Sequence, residues 1–111
     1  DSITYRDPIY SPAGNKLLYV KRDWRFFNRK ISPSEIWLIN SDGSENQKLT
    51  SNFCDFYPAW SPNGEKIIFC RQSPEKDEFT LQTIGMFMMN NDGSELKKIL
   101  SEGSVYPSWK P

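Results

Sequence analysis

The sequence repeats itself at a spacing of 50 residues, and a chain that repeats in this way folds into equivalent units joined in tandem. Residues 10–20, YSPAGNKLLYV, match residues 60–70, WSPNGEKIIFC. A second motif has the same spacing, since SDGSE at residues 41–45 returns as NDGSE at residues 91–95. Because two separate motifs share one period, we interpret the chain as two copies of one supersecondary unit.

Each copy contains four short apolar runs separated by turn residues, which predicts four β-strands. The glycine after Asp42 or Asp92 fits the left-handed position that follows a type I turn in a hairpin. No segment shows sustained helical spacing. We expect strands at about residues 4–10, 16–21, 35–40, 46–50, 56–60, 66–71, 83–90 and 96–100.

A partial third copy follows, because YPAW at residues 57–60 returns as YPSW at residues 106–109. Proline occupies the same place in the first strand of each copy, at Pro8, Pro58 and Pro107. A proline cannot donate a hydrogen bond to a sheet ladder, so this strand is expected at a sheet edge.

Four-stranded meanders that repeat roughly every 40 to 50 residues are typical of β-propeller blades. The predicted fold class is therefore all-β, with two consecutive four-stranded antiparallel blades and the first strand of a third, an incomplete propeller. The blades span about residues 4–50 and 55–100, and the inner strand of the third blade spans about residues 105–109. The prolines then lie at inner edges that face the central channel. A β-sandwich would explain the spacing of the turns but not their repetition.

Seven large apolar side chains on these strands are expected to be buried, most of them between blades: Leu18, Trp37, Ile39, Trp60, Ile67, Phe69 and Met88. Cys70 stands where the first copy has Val20, so we interpret it as a small apolar core residue. A disulfide between Cys54 and Cys70 is the alternative.

Residues 58–69, PAWSPNGEKIIF, and residues 88–94, MMNNDGS, resemble the TolB-type WD-like β-propeller repeat, and QKLT at residues 47–50 resembles its blade ending. The resemblance covers nearly the whole chain and implies a propeller. It is less specific for function, because this repeat serves periplasmic transport-system proteins, peptidase gating domains and polysaccharide-active enzymes. The resemblance alone implies the bacterial periplasm or cell envelope.

The sequence departs from the pattern of this repeat in three ways. The usual Asp of Ser-Pro-Asp-Gly is Ala13 in the first copy and Asn63 in the second. Tyr10 replaces the usual Trp, and the loops between the second and third strands are long in both copies.

A propeller needs at least about four blades to close a ring. We therefore expect further blades in the same polypeptide. The alternative is a ring assembled from several copies of the chain, which the surplus strand at the third repeat disfavours.

Composition excludes several functions for these residues. The 14 Lys and Arg balance the 14 Asp and Glu, so no global field attracts nucleic acid. No apolar run is long enough to span a membrane. The absence of histidine excludes Ser–His and Cys–His catalytic units. Two cysteines without histidine lack zinc spacing, and neither Asp-Gly-Ser turn resembles a calcium loop, so we expect no cofactor.

Asp55 and Asp7 are the only candidates for catalysis, as a carboxylate pair of the kind that hydrolyses glycosides. They occupy different places relative to Pro58 and Pro8, respectively. We therefore favour the interpretation that each caps a turn or a strand connection.

The loop between the second and third strands of the first copy is the candidate binding site. Residues 21–30, KRDWRFFNRK, combine five basic residues with three aromatic ones on the face free of repeated motifs. Arginine and aromatic residues are enriched at binding hot spots and suit anionic or carbohydrate ligands. Alternatively, the aromatic rings cover the edge of the blade. The candidate residues are Arg22, Trp24, Arg25, Phe26, Phe27 and Arg29.

These observations favour a non-catalytic propeller that binds a protein or peptide through the face with the long loops. The alternative is the propeller portion of a larger enzyme, such as a prolyl-oligopeptidase-like serine hydrolase whose catalytic domain lies outside these residues. A G-x-S-x-G motif downstream would indicate the enzyme.

Overall fold

The computed structural model describes residues 3–23, 34–51, 53–74 and 81–100, and this part of the chain is all-β. No helix able to cross a membrane occurs in these ranges. The strand predicted at residues 105–109 lies outside them. The strands are β1 (Ile3–Tyr10), β2 (Lys16–Asp23), β3 (Ser34–Asn40), β4 (Gln47–Lys48), β5 (Cys54–Trp60), β6 (Lys66–Pro74), β7 (Leu81–Asn90) and β8 (Lys97–Leu100).

The strands form two antiparallel meanders, β1 to β4 (the first meander) and β5 to β8 (the second meander). A single parallel bridge between Ser34 and Cys54 joins them, and the Ser34 N–H donates to the carbonyl of Phe53 at 3.1 Å. The bridge makes one eight-stranded mixed sheet, which is not closed. Each sequence copy therefore corresponds to one meander.

The Asp-Gly-Ser turns have the same geometry in both meanders. Gly43 and Gly93 adopt φ of 89° and 87°, which confirms the predicted left-handed glycine. The carboxylate of Asp42 accepts a hydrogen bond from the backbone N–H of Ser44 at 2.9 Å, and the second turn repeats this contact. The Ser41 N–H donates to the carbonyl of Asn15, so both turns of the first meander lie at one end. We call this the turn end, and the opposite end the loop end.

β1 and β5 each contain a bulge at the same place in the repeat. The pairing shifts between Arg6 and Ile9 in β1 and between Phe56 and Ala59 in β5. The residue before proline adopts positive φ in both, 53° at Asp7 and 56° at Tyr57. Pro8 therefore lies at a bulge of an edge strand, and Pro58 occupies the equivalent bulge of β5, where a missing N–H breaks no ladder bond.

One hydrophobic core joins the two meanders. Leu18 pairs with Leu38 and Val20 with Ile36, and directly paired residues of adjacent strands point to the same face of a sheet. The indole N–H of Trp60 donates to the carbonyl of Ile9 at 3.1 Å, across the junction. The buried core residues are Leu18, Val20, Ile36, Leu38, Trp60, Ile67, Phe69 and Met89, which confirms the predicted burial of Leu18, Trp60, Ile67 and Phe69.

Trp37, Ile39 and Met88 were also expected to be largely buried, and each keeps an intermediate exposure. Their neighbours Ile36, Leu38 and Met89 are buried instead. Both faces of these strands are apolar, so the alternation of side chains does not indicate which face meets the core. Trp37 pairs with Tyr19 on the face away from the core. The two rings stack there with their centroids 6.4 Å apart.

Candidate anion-binding site

A cavity of about 210 Å³ lies between the two meanders toward the loop end. The first meander contributes Arg6 from β1 and Arg22 from β2, and the second contributes Phe56 and Tyr57 from β5 and Gln72 from β6. We call these five residues the arginine cavity. Here Arg22, from a strand that leads into a long loop, meets the junction between the meanders.

Strand register explains how both arginines reach the arginine cavity. Arg6 pairs with Val20, whose side chain belongs to the core, so Arg6 projects from the same face. Arg22 follows Val20 by two residues on β2 and therefore shares that face. On the first meander, the arginine cavity is thus the polar continuation of the core face toward the loop end. Tyr57, at the bulge of β5, also lines the arginine cavity.

The lining residues carry two positive charges and no negative one. The guanidinium carbon of Arg22 lies 5.6 Å from the ring centre of Phe56, within the range of a cation–π contact. Burial lowers the pKa of Arg22, the positive charge of Arg6 lowers that pKa further, and the Cys54 thiol acts in the opposite direction. Arginine nevertheless stays charged in proteins, so the two guanidinium groups repel each other across the arginine cavity. An anion would relieve that repulsion.

Of the six binding residues predicted from the sequence, Arg22 lies in the arginine cavity. Trp24, Arg25, Phe26, Phe27 and Arg29 fall outside the described residues and stay predictions.

Sequence reasoning missed the other four residues of the arginine cavity. A signal for them exists in the repeat, because Phe56 and Gln72 are the counterparts of Arg6 and Arg22 at a spacing of 50 residues. Both members of each equivalent pair therefore line the same cavity, charged in the first copy and neutral in the second.

The candidate catalytic residue Asp55 has a structural partner. Its buried carboxylate accepts hydrogen bonds from Nε of Arg71 at 2.8 Å and from a terminal nitrogen of the same guanidinium at 3.1 Å. Burial raises the pKa of Asp55, and Arg71 and Thr50 oppose that change. Asp7 lies at the β1 bulge, and among the described residues no hydrogen-bond donor reaches its buried Oδ2. Asp55 is unavailable to a substrate, because both of its oxygens face Arg71.

Three phenylalanine rings surround the Arg71 guanidinium, whose carbon lies 4.2, 4.8 and 5.3 Å from the ring centres of Phe53, Phe87 and Phe69. The pair of Asp55 and Arg71 is therefore desolvated and embedded in the second meander.

Both cysteines are buried free thiols, so Cys70 is a core residue as predicted and the alternative disulfide is not formed. Burial raises the pKa of Cys54 and of Cys70, which keeps both thiols protonated at neutral pH. Within the described ranges, no cluster of three or more Cys, Asp or Glu side chains is arranged to hold a metal ion.

No protein-family model matches the chain, and no protein with a curated description matches it either.

Proposed function

We propose that the two meanders are consecutive β-propeller blades, and that the chain is a non-catalytic interaction module that binds a protein or peptide at the loop end. Two observations support this proposal. The meanders pack front to back, and the arginine cavity opens at the junction that such packing creates.

Front-to-back packing follows from comparing the two copies. The second meander meets the first through Trp60, Ile67, Phe69 and Met89. Fifty residues earlier, the same places are held by Tyr10, Leu17, Tyr19 and Ile39, which are absent from the buried core. Each unit therefore has two different faces. We call the face with the places of Trp60, Ile67, Phe69 and Met89 the front and the opposite face the back. The back of the first meander meets the front of the second. Packing of this kind builds rings of equivalent units, whereas a two-fold sandwich would bring equivalent faces together.

The front of the first meander is suited to a further unit. Tyr10 is 62% exposed, whereas its counterpart Trp60 is 8% exposed. Tyr5, Tyr19 and Trp37 form a series of aromatic contacts there. These facts support a further unit packed on this face.

The size of the arginine cavity indicates the class of partner. Pockets that enclose a whole small molecule measure roughly 300–1,000 Å³. At about 210 Å³ the arginine cavity is smaller, and fits one side chain or one terminal group of a larger partner. A protein or peptide that inserts a single group is therefore the partner that the geometry supports best.

Selection of displayed random peptides on the immobilised chain tests this function. A Gln72→Trp variant fills the arginine cavity from β6, and Gln47→Trp adds the same ring at an exposed site on β4. Selected peptides should bind the parent and Gln47→Trp equally and lose about tenfold or more in affinity for Gln72→Trp, as loss of one anchoring group predicts. Equal binding to all three proteins, or no selected peptide, would contradict the proposed function.

A further inference from the structure

We infer that the arginine cavity binds a carboxylate of the partner, with Arg6 and Arg22 as its two cationic ligands. This inference rests on the proposed function, because it names the chemistry of the group that the partner inserts. The carboxylate can come from an acidic side chain or from a chain terminus.

The two arginines are close enough to share one ion. Arg6 pairs with Val20, and Arg22 lies two residues farther along the same strand, so the arginines are diagonal neighbours on one face. Diagonal neighbours in an antiparallel pair lie roughly 7–8 Å apart, which is within the reach of two long side chains converging on one point. Both side chains line the same cavity, in agreement with this register.

The shape and charge of the arginine cavity fit a carboxylate. A guanidinium is a planar fork of N–H donors that matches the two oxygens of a carboxylate. Contact with the Phe56 ring orients the Arg22 guanidinium. Gln72 adds a neutral amide donor. Phosphate oxygens accept the same fork, but a carboxylate is the anionic group that an unmodified protein or peptide partner carries.

The fold itself does not require the two arginines. The second meander adopts the same strand pairing with Phe56 and Gln72 at the equivalent places. Two arginines that the scaffold can replace by neutral residues are therefore explained better by binding than by folding. The second copy lacks both arginines, so the pair belongs to the first copy and not to the repeat itself.

The test follows the arginine side-chain Nε–Hε signals of the chain by NMR. The probes are N-acetylglycine, which has a terminal carboxylate, N-acetyl-aspartic acid amide, which has a side-chain carboxylate, neutral N-acetylglycinamide, and inorganic phosphate. We expect saturable shifts of the Arg6 and Arg22 signals with at least one carboxylate and none with the neutral amide. The carboxylate that binds more tightly identifies the source of the group.

Variants based on the repeat separate binding from folding. Arg22→Gln installs the residue that the second copy has, and Arg6→Gln removes the other charge. Each should weaken carboxylate binding by about tenfold or more, as expected for loss of a charge-assisted hydrogen bond. Arg22→Lys keeps the charge but loses the fork of N–H donors, so its carboxylate affinity should lie between those of the parent and Arg22→Gln. The control replaces the exposed Lys97 and Lys98 of β8 with Gln, removes two charges elsewhere, and should leave affinity unchanged.

Three results would overturn the inference: no saturable shift of either arginine with a carboxylate, tighter binding of phosphate than of both carboxylates, or full affinity in Arg22→Gln. Selected peptides that need the arginine cavity but contain no essential carboxylate would also overturn it while leaving the proposed function intact. Carboxylate binding without any selected peptide would support the inference and contradict the proposed function.

Discussion

Removing one partner of the buried Asp55–Arg71 pair is expected to destabilise the chain strongly. Asp55→Asn leaves a buried cation without its anion, and such changes cost about 3–5 kcal/mol. The three phenylalanine contacts of Arg71 persist in this variant and offset part of the loss, so we expect the lower end of that range. For a domain of this size, a loss of about 3 kcal/mol lowers Tm by roughly 12–24 °C.

The reverse change, Arg71→Met, is expected to make stability depend on pH. Asp55 then keeps its burial, which raises its pKa, but loses the arginine that opposes this change. A carboxyl whose pKa is raised on folding is protonated more readily in the folded state, so the free energy of unfolding falls as pH rises above the ordinary value of 3.8. The loss of unfolding free energy in Arg71→Met should therefore be larger at neutral pH than at pH 4–5. Asp55→Asn lacks this carboxyl, so its loss of unfolding free energy should not follow this trend.

A double-mutant cycle measures the coupling of the two residues. Urea unfolding of the parent, both single variants and the double variant would be followed by tryptophan fluorescence. The buried Trp60 contributes to this signal. Replacing both partners by neutral residues is often nearly neutral, so the double variant should lose far less than the sum of the single losses. Losses that add to within about 0.5 kcal/mol would refute the idea that the pair acts as a unit.

Three further predictions concern other parts of the chain. Trp60→Ala should cost about 3–5 kcal/mol in urea unfolding, because it empties the junction between the meanders, and a variant that melts like the parent would contradict the described core. Serine hydrogen bonds hold the pKa of Asp42 and of Asp92 below 3.8, so their contribution to stability is complete above that pH and is lost as pH falls through the lowered values. Replacing both with Asn should flatten the acid limb of the stability curve, and superimposable limbs would show that the turns contribute nothing through charge. Replacing Arg25 and Arg29 with Ala should weaken binding of an anionic partner and reduce its salt dependence in titrations at low and high salt, with thermal melts as controls, and unchanged affinity would exclude this loop from the site.

Turn chemistry made the strand order predictable, but pairing set where the strands end. The predicted second strand of the second copy stopped at Arg71, whereas β6 continues to Pro74 because Gln72 and Ser73 pair with polar residues of β7. The fourth strand of the first copy was predicted to reach Thr50. It is shorter, because the Leu49 and Thr50 N–H groups both donate to the Ile36 carbonyl and the Thr50 hydroxyl accepts the Ile36 N–H at 3.0 Å, which breaks the regular ladder. Propensity alone indicates neither event.

The candidate site was less predictable than the fold for a similar reason. A run of arginines and aromatic residues is visible in the sequence, and it led to Arg22. The meeting of Arg6 with Phe56 and Gln72 depends on how one unit packs on the next, which residue types alone do not reveal. Comparison of equivalent positions in the two copies is the signal that would have found them.

A unit whose back fits its own front can be multiplied by tandem duplication of its coding segment. Each added unit brings a surface that already fits its neighbour, so lengthening the array requires no new interface to evolve. The same relation means that the two sides of a junction evolve in different copies. A substitution at Trp60 would be compensated by residues near Ile9 in the preceding unit, not by residues of its own copy. Copies are thus free to diverge from one another as long as adjacent ones change together.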